Sequence, residues 1–379
     1  MHMHRLEKLR NHIDGILHSV VAAYERRCGF LHLYGVAQAA ALLAERKGLA
    51  PDIAAAAAML HDIYTYRTGH TALHSHNSAE EARPVLRDMG IFSQEEQLLI
   101  LSAVFHHSDK THRHDEYDEI LKNADVLQHY LYNPALPVSP GNAARLEHTL
   151  AILGYSTTHQ IRVAEVKHNK ASARDKRALL ANIAEKMADE KIVGEPGNIT
   201  FAHIARRWPD TLEHKSIEQL AGNWCAAFVH HCCQEAGFLL PFRHPNVSCR
   251  FAAVRGWYEW STRREINLFT PAETGYIPQR GDIVIFRDSI PPQKNNAPSG
   301  TLDHIGIVLK NLDRHIIVAE GNADNSNLSA IMARDRSENI AGYIHMDNDF
   351  EYEGWKTDYK TGQERVETYS PYHPVPQSR

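Results

Sequence analysis

The chain has 379 residues, of which 43% are hydrophobic and 23% charged, with a formal net charge of −5. Such a length exceeds one ordinary core and predicts two domains, while the charge balance argues against binding a nucleic acid polymer or an acidic membrane surface. No run approaches the roughly 20 apolar residues of a membrane span, and "MHMHRLEKLRNHIDGILHSV" lacks a signal-peptide core, so a cytoplasmic protein is expected.

From residue 5 to about 130 apolar residues recur at three- and four-residue spacing, with alanine-rich runs such as "GVAQAAALLAERKG" and "PDIAAAAAMLHDI". This pattern predicts helix after helix, and Gly48 and Pro51 stop one and start the next. His32, the pair His61-Asp62 and Asp125 of "LKNADVLQHY" stand where a helical pattern asks for apolar residues. A carboxylate on a buried helix face is costly unless it is paired or binds a cation. Two histidines and two carboxylates form a mixed nitrogen and oxygen donor set suited to Mn, Fe, Ni, Co, Zn or Mg.

"NPALPVSPGN" interrupts the pattern at 133–142, helices resume to about 190, and "IVGEPGNIT" breaks them again. The next stretch, "GNWCAAFVHHCCQEAGF", predicts a helix from about Trp224. Its C-x₆-C-C spacing has no second ligand pair downstream, which argues against zinc, and Cys232 and Cys233 read as small buried hydrophobes. Cys225 differs because it begins the helix, where the N-terminus favours an anion. A thiolate there needs a cationic partner, and a histidine also serves as acid and base in acyl transfer. "TLDHIGIVLK" supplies His304. Beyond residue 275 the short β-branched runs "GDIVIF", "HIGIVL" and "HIIVAE" predict strands. "IIVAEGN" ends with Glu320 and Asn322, either of which could orient the imidazole. Residues 351–379 are polar and proline-ended, which predicts a mobile or wrapping tail.

Residues 25–132 resemble the HD-domain metal-dependent phosphohydrolases: a helix-borne His, then His-Asp, then a distant Asp in "NAD", with "HSHNSAEEARPVL" and "ILSAVFHHSDK" similar to further family phrases. The resemblance implies that His32, His61, Asp62 and Asp125 hold one divalent metal ion, and that His76 and His107, with Asp62 bridging, hold a second. His74 and His106 are the neighbouring alternatives. Such ions activate water and hold phosphoryl oxygens, so a small-molecule phosphoester or nucleotide is the implied substrate. Arg67, Lys110 and Arg113 follow the candidate ligands and are the cations on offer to phosphate.

Residues 215–345 resemble the CHAP-type cysteine amidases and peptidases of the papain-like superfamily, through "WCAAFV…EAGF", "IPQRGDIVIF", "DHIGIVL" and "EGN" in the family's order. By that resemblance Cys225 attacks an amide or peptide carbonyl, His304 protonates the leaving amine, and Glu320 or Asn322 holds His304. The Cys225 backbone N–H and Gln219 are the candidate oxyanion donors. The expected organisation is an all-α HD-type helical domain over 1–155, a helical connector over 156–200, an α+β papain-like CHAP-type domain over 201–350 and a tail over 351–379. The expected function is that of a bifunctional hydrolase. Alternatives are an HD domain that senses a ligand and gates the cysteine hydrolase, or a peptidoglycan-cleaving lysin or effector, against which the lack of a wall-binding module weighs.

Overall fold

A computed structural model describes residues 2–155, 161–164, 175–209, 216–290, 298–365 and 367–372. The chain forms two compact units, Met1–Lys170 with Trp355–Arg379, and Ala171–Gly354.

The first unit is helical: α1 (His2–Ser19), α2 (Ala23–Arg46), α3 (Pro51–Leu60), α4 (Ile63–Thr68), α5 (His74–Met89), α6 (Gln94–His106), α7 (Glu116–Tyr132) and α8 (Pro140–Ile152). In α2 the buried residues Leu33, Val36, Ala37, Ala40, Leu43 and Ala44 make one stripe, which packs on α3. Every residue of α3 from Ile53 to Leu60 is buried, as expected of a helix that is apolar all round and lies at the centre of its core. Part of the predicted tail returns to this unit. Trp355 stacks on His112 with ring centroids 3.6 Å apart, Tyr359 joins the core beside Phe105, and the N–H groups of Arg113 and Ser370 donate to Thr368 O and Thr111 O. These contacts hold the loop that runs on from His107.

The second unit holds α9 (Lys176–Asp189), α10 (Ile199–Arg206), α11 (Ser216–Leu220), α12 (Cys225–Ala236), α13 (Val254–Ser261) and an antiparallel sheet. Its strands are β1 (Phe269–Pro271), β2 (Ile283–Arg287), β3 (Leu302–Asn311), β4 (His315–Glu320), β5 (Ala330–Asp335) and β6 (Ile340–Ile344), ordered β1-β6-β2-β3-β4-β5. The architecture is α+β. Of the connector expected over 156–200, residues 156–160 and 165–174 lie outside the described residues, and α9 packs on α12 and on β3, β4 and β5 as part of this unit. Of the strands, the sequence pattern marks β2, β3 and β4, whose runs are mostly buried. It misses β1, with three residues, β5, which alternates between partly buried and exposed residues, and the five-residue β6.

Trp224 anchors the start of α12. It is fully buried against Phe201 and Phe228, and its indole N–H donates to Asn327 Oδ1 at 3.2 Å. Trp224→Ala is expected to cost this unit about 3–5 kcal/mol, the range for an emptied aromatic site in a packed core. Urea melts of the two proteins measure it, and a shift below 1 kcal/mol would contradict the packing role.

Candidate functional site

In the helical unit His32 and Asp125 face inward from α2 and α7. His61 and Asp62 do not sit within a helix as the pattern implied: His61 closes α3 and Asp62 precedes the first residue of α4. That junction points both side chains to one place. Asp62 Oδ2 lies 3.4 Å from His32 Nε2 and 3.5 Å from His61 Nε2, and the two nitrogens are 3.0 Å apart. Asp125 Oδ1 is 3.7 Å from His32 Nε2. The second oxygen of Asp62, Oδ1, is 3.4 Å from Nε2 of both His74 and His107, which are 3.1 Å from each other.

The outer nitrogens explain the inner ones. Nδ1–H of His32 donates to Gln128 Oε1 at 2.7 Å, that of His61 to Ala58 O at 2.6 Å, that of His107 to Val104 O at 2.7 Å and that of His74 to Thr71 O at 3.0 Å. In a neutral ring that tautomer leaves Nε2 as a lone pair, so four lone pairs converge on Asp62. Asp62 Oδ1 is shielded from water and, among the described residues, accepts no hydrogen bond. Cis ligands at about 2.1 Å from a cation lie about 3 Å apart, the spacing these nitrogens already have. The donor set fits a divalent cation, with Asp62 common to the triads His32, His61, Asp62 and Asp62, His74, His107.

The electrostatics agree. Burial pushes His61 down to about 3, so the ring is neutral and able to ligate. Burial opposes charge on Asp62 and Asp125 as well, yet the imidazoles around Asp62, and Lys110 with His129 beside Asp125, hold both carboxyls well below their usual range. Against burial, Asp62 and Asp125 raise His32, and the field that favours a proton there favours a metal cation too.

In the second unit Cys225 is the first residue of α12. Its N–H is one of the helix-start donors that have no acceptor within the helix. His304, the third residue of β3 and 1% exposed, bonds through Nε2 to Glu320 Oε2 at 2.8 Å. Its Nδ1 is buried without a hydrogen-bond partner among the described residues, and the Cys225 thiol is close enough to act on the ring. Two glycines make this approach possible. A Cβ on Gly306 would meet Val318 at 2.5 Å and the Glu320 side chain at 2.9 Å, and one on Gly321 would meet Phe228 of α12 at 2.5 Å. Burial works against charge on His304, but Glu320 foremost, and then the thiol, push it up to about 10. Glu320, buried too, is brought below its usual value by His304 and Arg334.

Residues 29–129 match the family model of the HD domain, and residues 218–322 match that of the CHAP domain. The chain joins an HD domain to a CHAP domain. No curated protein and no solved structure matches it.

In the HD domain the structure brings His74, two residues before the expected His76, to Asp62 and His107. Leu73 turns the chain in the left-handed region (φ 48°), so α5 opens with the His74 ring toward His107, while His76 lies edge-on to Phe105 at 4.2 Å. His106 turns to Asp118 at 2.8 Å, which leaves His107 as the inward residue. Among the three cations, Lys110 reaches the cluster, donating to Asp125 Oδ2 at 2.8 Å. Arg67 is paired with Glu81 instead, and Arg113 is exposed. His129, one helical turn after Asp125 and 3.3 Å from it, escaped the sequence reading although the D-x₃-H spacing on a helix could have flagged it.

In the CHAP domain Glu320 holds the imidazole and Asn322 does not. Asn322 lies past the end of β4 in the left-handed region, donates to Gly222 O at 2.8 Å, and accepts from Asn327 N–H, tying the loop ahead of the nucleophile. Gln219 is exposed and lines a cleft of about 300 Å³ with Asn223, two residues before Cys225. All five cysteines are free thiols, and burial raises Cys232 and Cys233.

The charge on Glu320 has a measurable signature. His304 is raised above its ordinary 6.5, so its imidazolium contributes stability that is complete below about pH 6.5 and is lost as pH rises through about 10. Glu320→Gln removes the largest favourable cause. Melting temperatures from pH 6 to 11 are expected to fall less steeply in that variant between pH 6.5 and 10, and parallel curves would refute the assignment.

Proposed function

We propose that the HD domain is a metal-dependent hydrolase of a small phosphoester or nucleotide, and that the CHAP domain cleaves an amide or peptide bond through Cys225 and His304. For the HD domain the supporting observation is the convergence of four Nε2 atoms on the Asp62 carboxylate, two on each oxygen. One or two divalent cations would be held by His32, His61, Asp62, His74, His107 and Asp125, and when bound they supply Lewis acidity toward a phosphoryl oxygen and water. Lys110 balances Asp125 and presents positive charge to phosphate. Asp62, shared between the two triads, sets their spacing.

For the CHAP domain the supporting observation is the buried hydrogen bond between Glu320 and His304, with the Cys225 thiol close enough to the imidazole to raise it. The thiol proton passes to His304 Nδ1, and the sulfur attacks the carbonyl carbon. The displaced electron pair collects on oxygen, facing the Cys225 N–H at the start of α12. His304 returns its proton to the amide nitrogen, the C–N bond breaks, and a thioester remains. Water, deprotonated by His304, then releases the acid and restores the thiol. Glu320 keeps the ring oriented and favours its charged form throughout.

Incubating the purified chain with a panel of nucleotides and phosphoesters, with and without chelator, tests the first activity. Saturable binding without turnover would favour the sensing role instead. Small γ-glutamyl, polyamine and peptide amides, set beside muropeptides, test the second. Cleavage of muropeptides alone would favour the lysin reading.

A further inference from the structure

The cysteine site has a fourth charged member, on a strand that the sequence pattern does not reveal. Arg334 of β5 projects from the same face of the sheet as Glu320: β4 and β5 pair Glu320 with Ala330 and Ile316 with Arg334, an even offset along both strands. Its Nε donates to Glu320 Oε1 at 2.8 Å and Nη2 to Oε2 at 2.5 Å, while Nη1 donates to Asp324 Oδ1 at 2.8 Å. The guanidinium carbon lies 5.5 Å over the ring of Phe286, the residue paired with His304 across β2 and β3. Both oxygens of Glu320 are thereby fixed, one by Arg334 and the other by Arg334 and His304 together.

We propose that Arg334 is a positioning residue of the cysteine machinery: its two-pronged hold on Glu320 orients His304 and supplies the charge that lets a thiolate form at Cys225. This rests on the cysteine-hydrolase reading above. Among the described residues, the groups acting on the imidazole are Cys225 from α12 and Glu320 from β4, and bonded in turn behind Glu320 stand Arg334 from β5 and Asp324 from the turn after β4. Glu320 is 0% exposed and Cys225 8%. With the thiolate formed, Cys225, His304 and Glu320 sum to one negative charge away from water, which is costly when uncompensated. Arg334 brings that sum to zero. Asp324 is 42% exposed, so solvent screens it and it subtracts little. A lysine could match the charge but not the fork, because an ammonium cannot grip both carboxylate oxygens in one plane.

Alkylation of Cys225 by iodoacetamide in the full chain, followed by mass spectrometry from pH 5 to 10, reads the thiolate without any amide substrate. In Arg334→Gln the labelling profile is expected to move up by about one pH unit, so that the rate at pH 6.5 falls about tenfold. Arg334→Lys should move it in the same direction by less. Thermal melts run alongside report folding, and a role confined to bracing the sheet would lower the melting temperature without moving the profile. An unshifted profile in whichever variant folds overturns the inference. If wild-type Cys225 reacts no faster than Cys249 at pH 6.5 and His304→Ala changes nothing, the cysteine-hydrolase reading itself fails.

Discussion

Cys225→Ala is expected to lower kcat/KM for amide or peptide cleavage by about 10⁴-fold or more, because residues that act as one catalytic unit fail together when the nucleophile goes. The expectation is specific to this thiol. Cys232 and Cys233 lie on the same helix and are 0% exposed against 8% for Cys225, and burial raises both. Among the described residues no histidine acts on either, as His304, held by Glu320, does beside Cys225. Cys232→Ala is therefore expected to change cleavage little while softening the core, where its sulfur contacts Met187. Amine release from the amide panel, compared at matched concentrations of folded protein, measures both. Cleavage that survives in Cys225→Ala would remove the nucleophile from the scheme. Equal losses in the two variants would point to a packing defect.

Asp62→Ala carries the other large effect. This residue alone belongs to both triads, its two oxygens facing different pairs of imidazoles, so its loss is expected to empty both positions at once. Metal per chain in the purified protein should fall to background. Phosphoester hydrolysis should drop about 10³-fold, since a Lewis-acid contribution of several kcal/mol converts at one decade per 1.4 kcal/mol. The histidines provide an internal control. His74→Ala should lower metal content and His76→Ala should leave it unchanged, because only His74 turns its Nε2 to Asp62 and His107. Asp125→Ala tests the opposite side of the cluster, where Lys110 would be left without its carboxylate. Wild type and Asp62→Ala holding the same negligible metal would undo the HD half of the proposal.

Much of both sites can be read from local pattern. A His-Asp pair closing an alanine-rich helix is conspicuous, because a buried carboxylate demands a reason. A cysteine at a helix start, with a histidine opening a β-branched run, is conspicuous as well. Those signals are short-range, and they led to His32, His61, Asp62, Asp125, Cys225, His304 and Glu320. The choices that pattern leaves open share a different cause. His74 and His76 are two residues apart, and the choice between them depends on where α5 starts, which the left-handed turn at Leu73 decides. Glu320 and Asn322 are also two apart. On a continuing strand both would have faced His304, but β4 ends at Glu320 and the chain then turns. Neither end point is written in apolar periodicity.

Arg334, α9 and the returning C-terminal segment were illegible for a third reason. Each acts through partners far away in sequence: Arg334 through Glu320, α9 through β3 to β5, and Trp355 through His112. Composition and periodicity by themselves determined that the chain makes a helical half and an α+β half, and which residue types could do chemistry in each. Only the tertiary structure decided which of two adjacent histidines turns inward, which carboxylate meets the imidazole, and which arginine balances the charge. Those choices depend on the direction of a side chain and on who stands opposite it, and packing sets both.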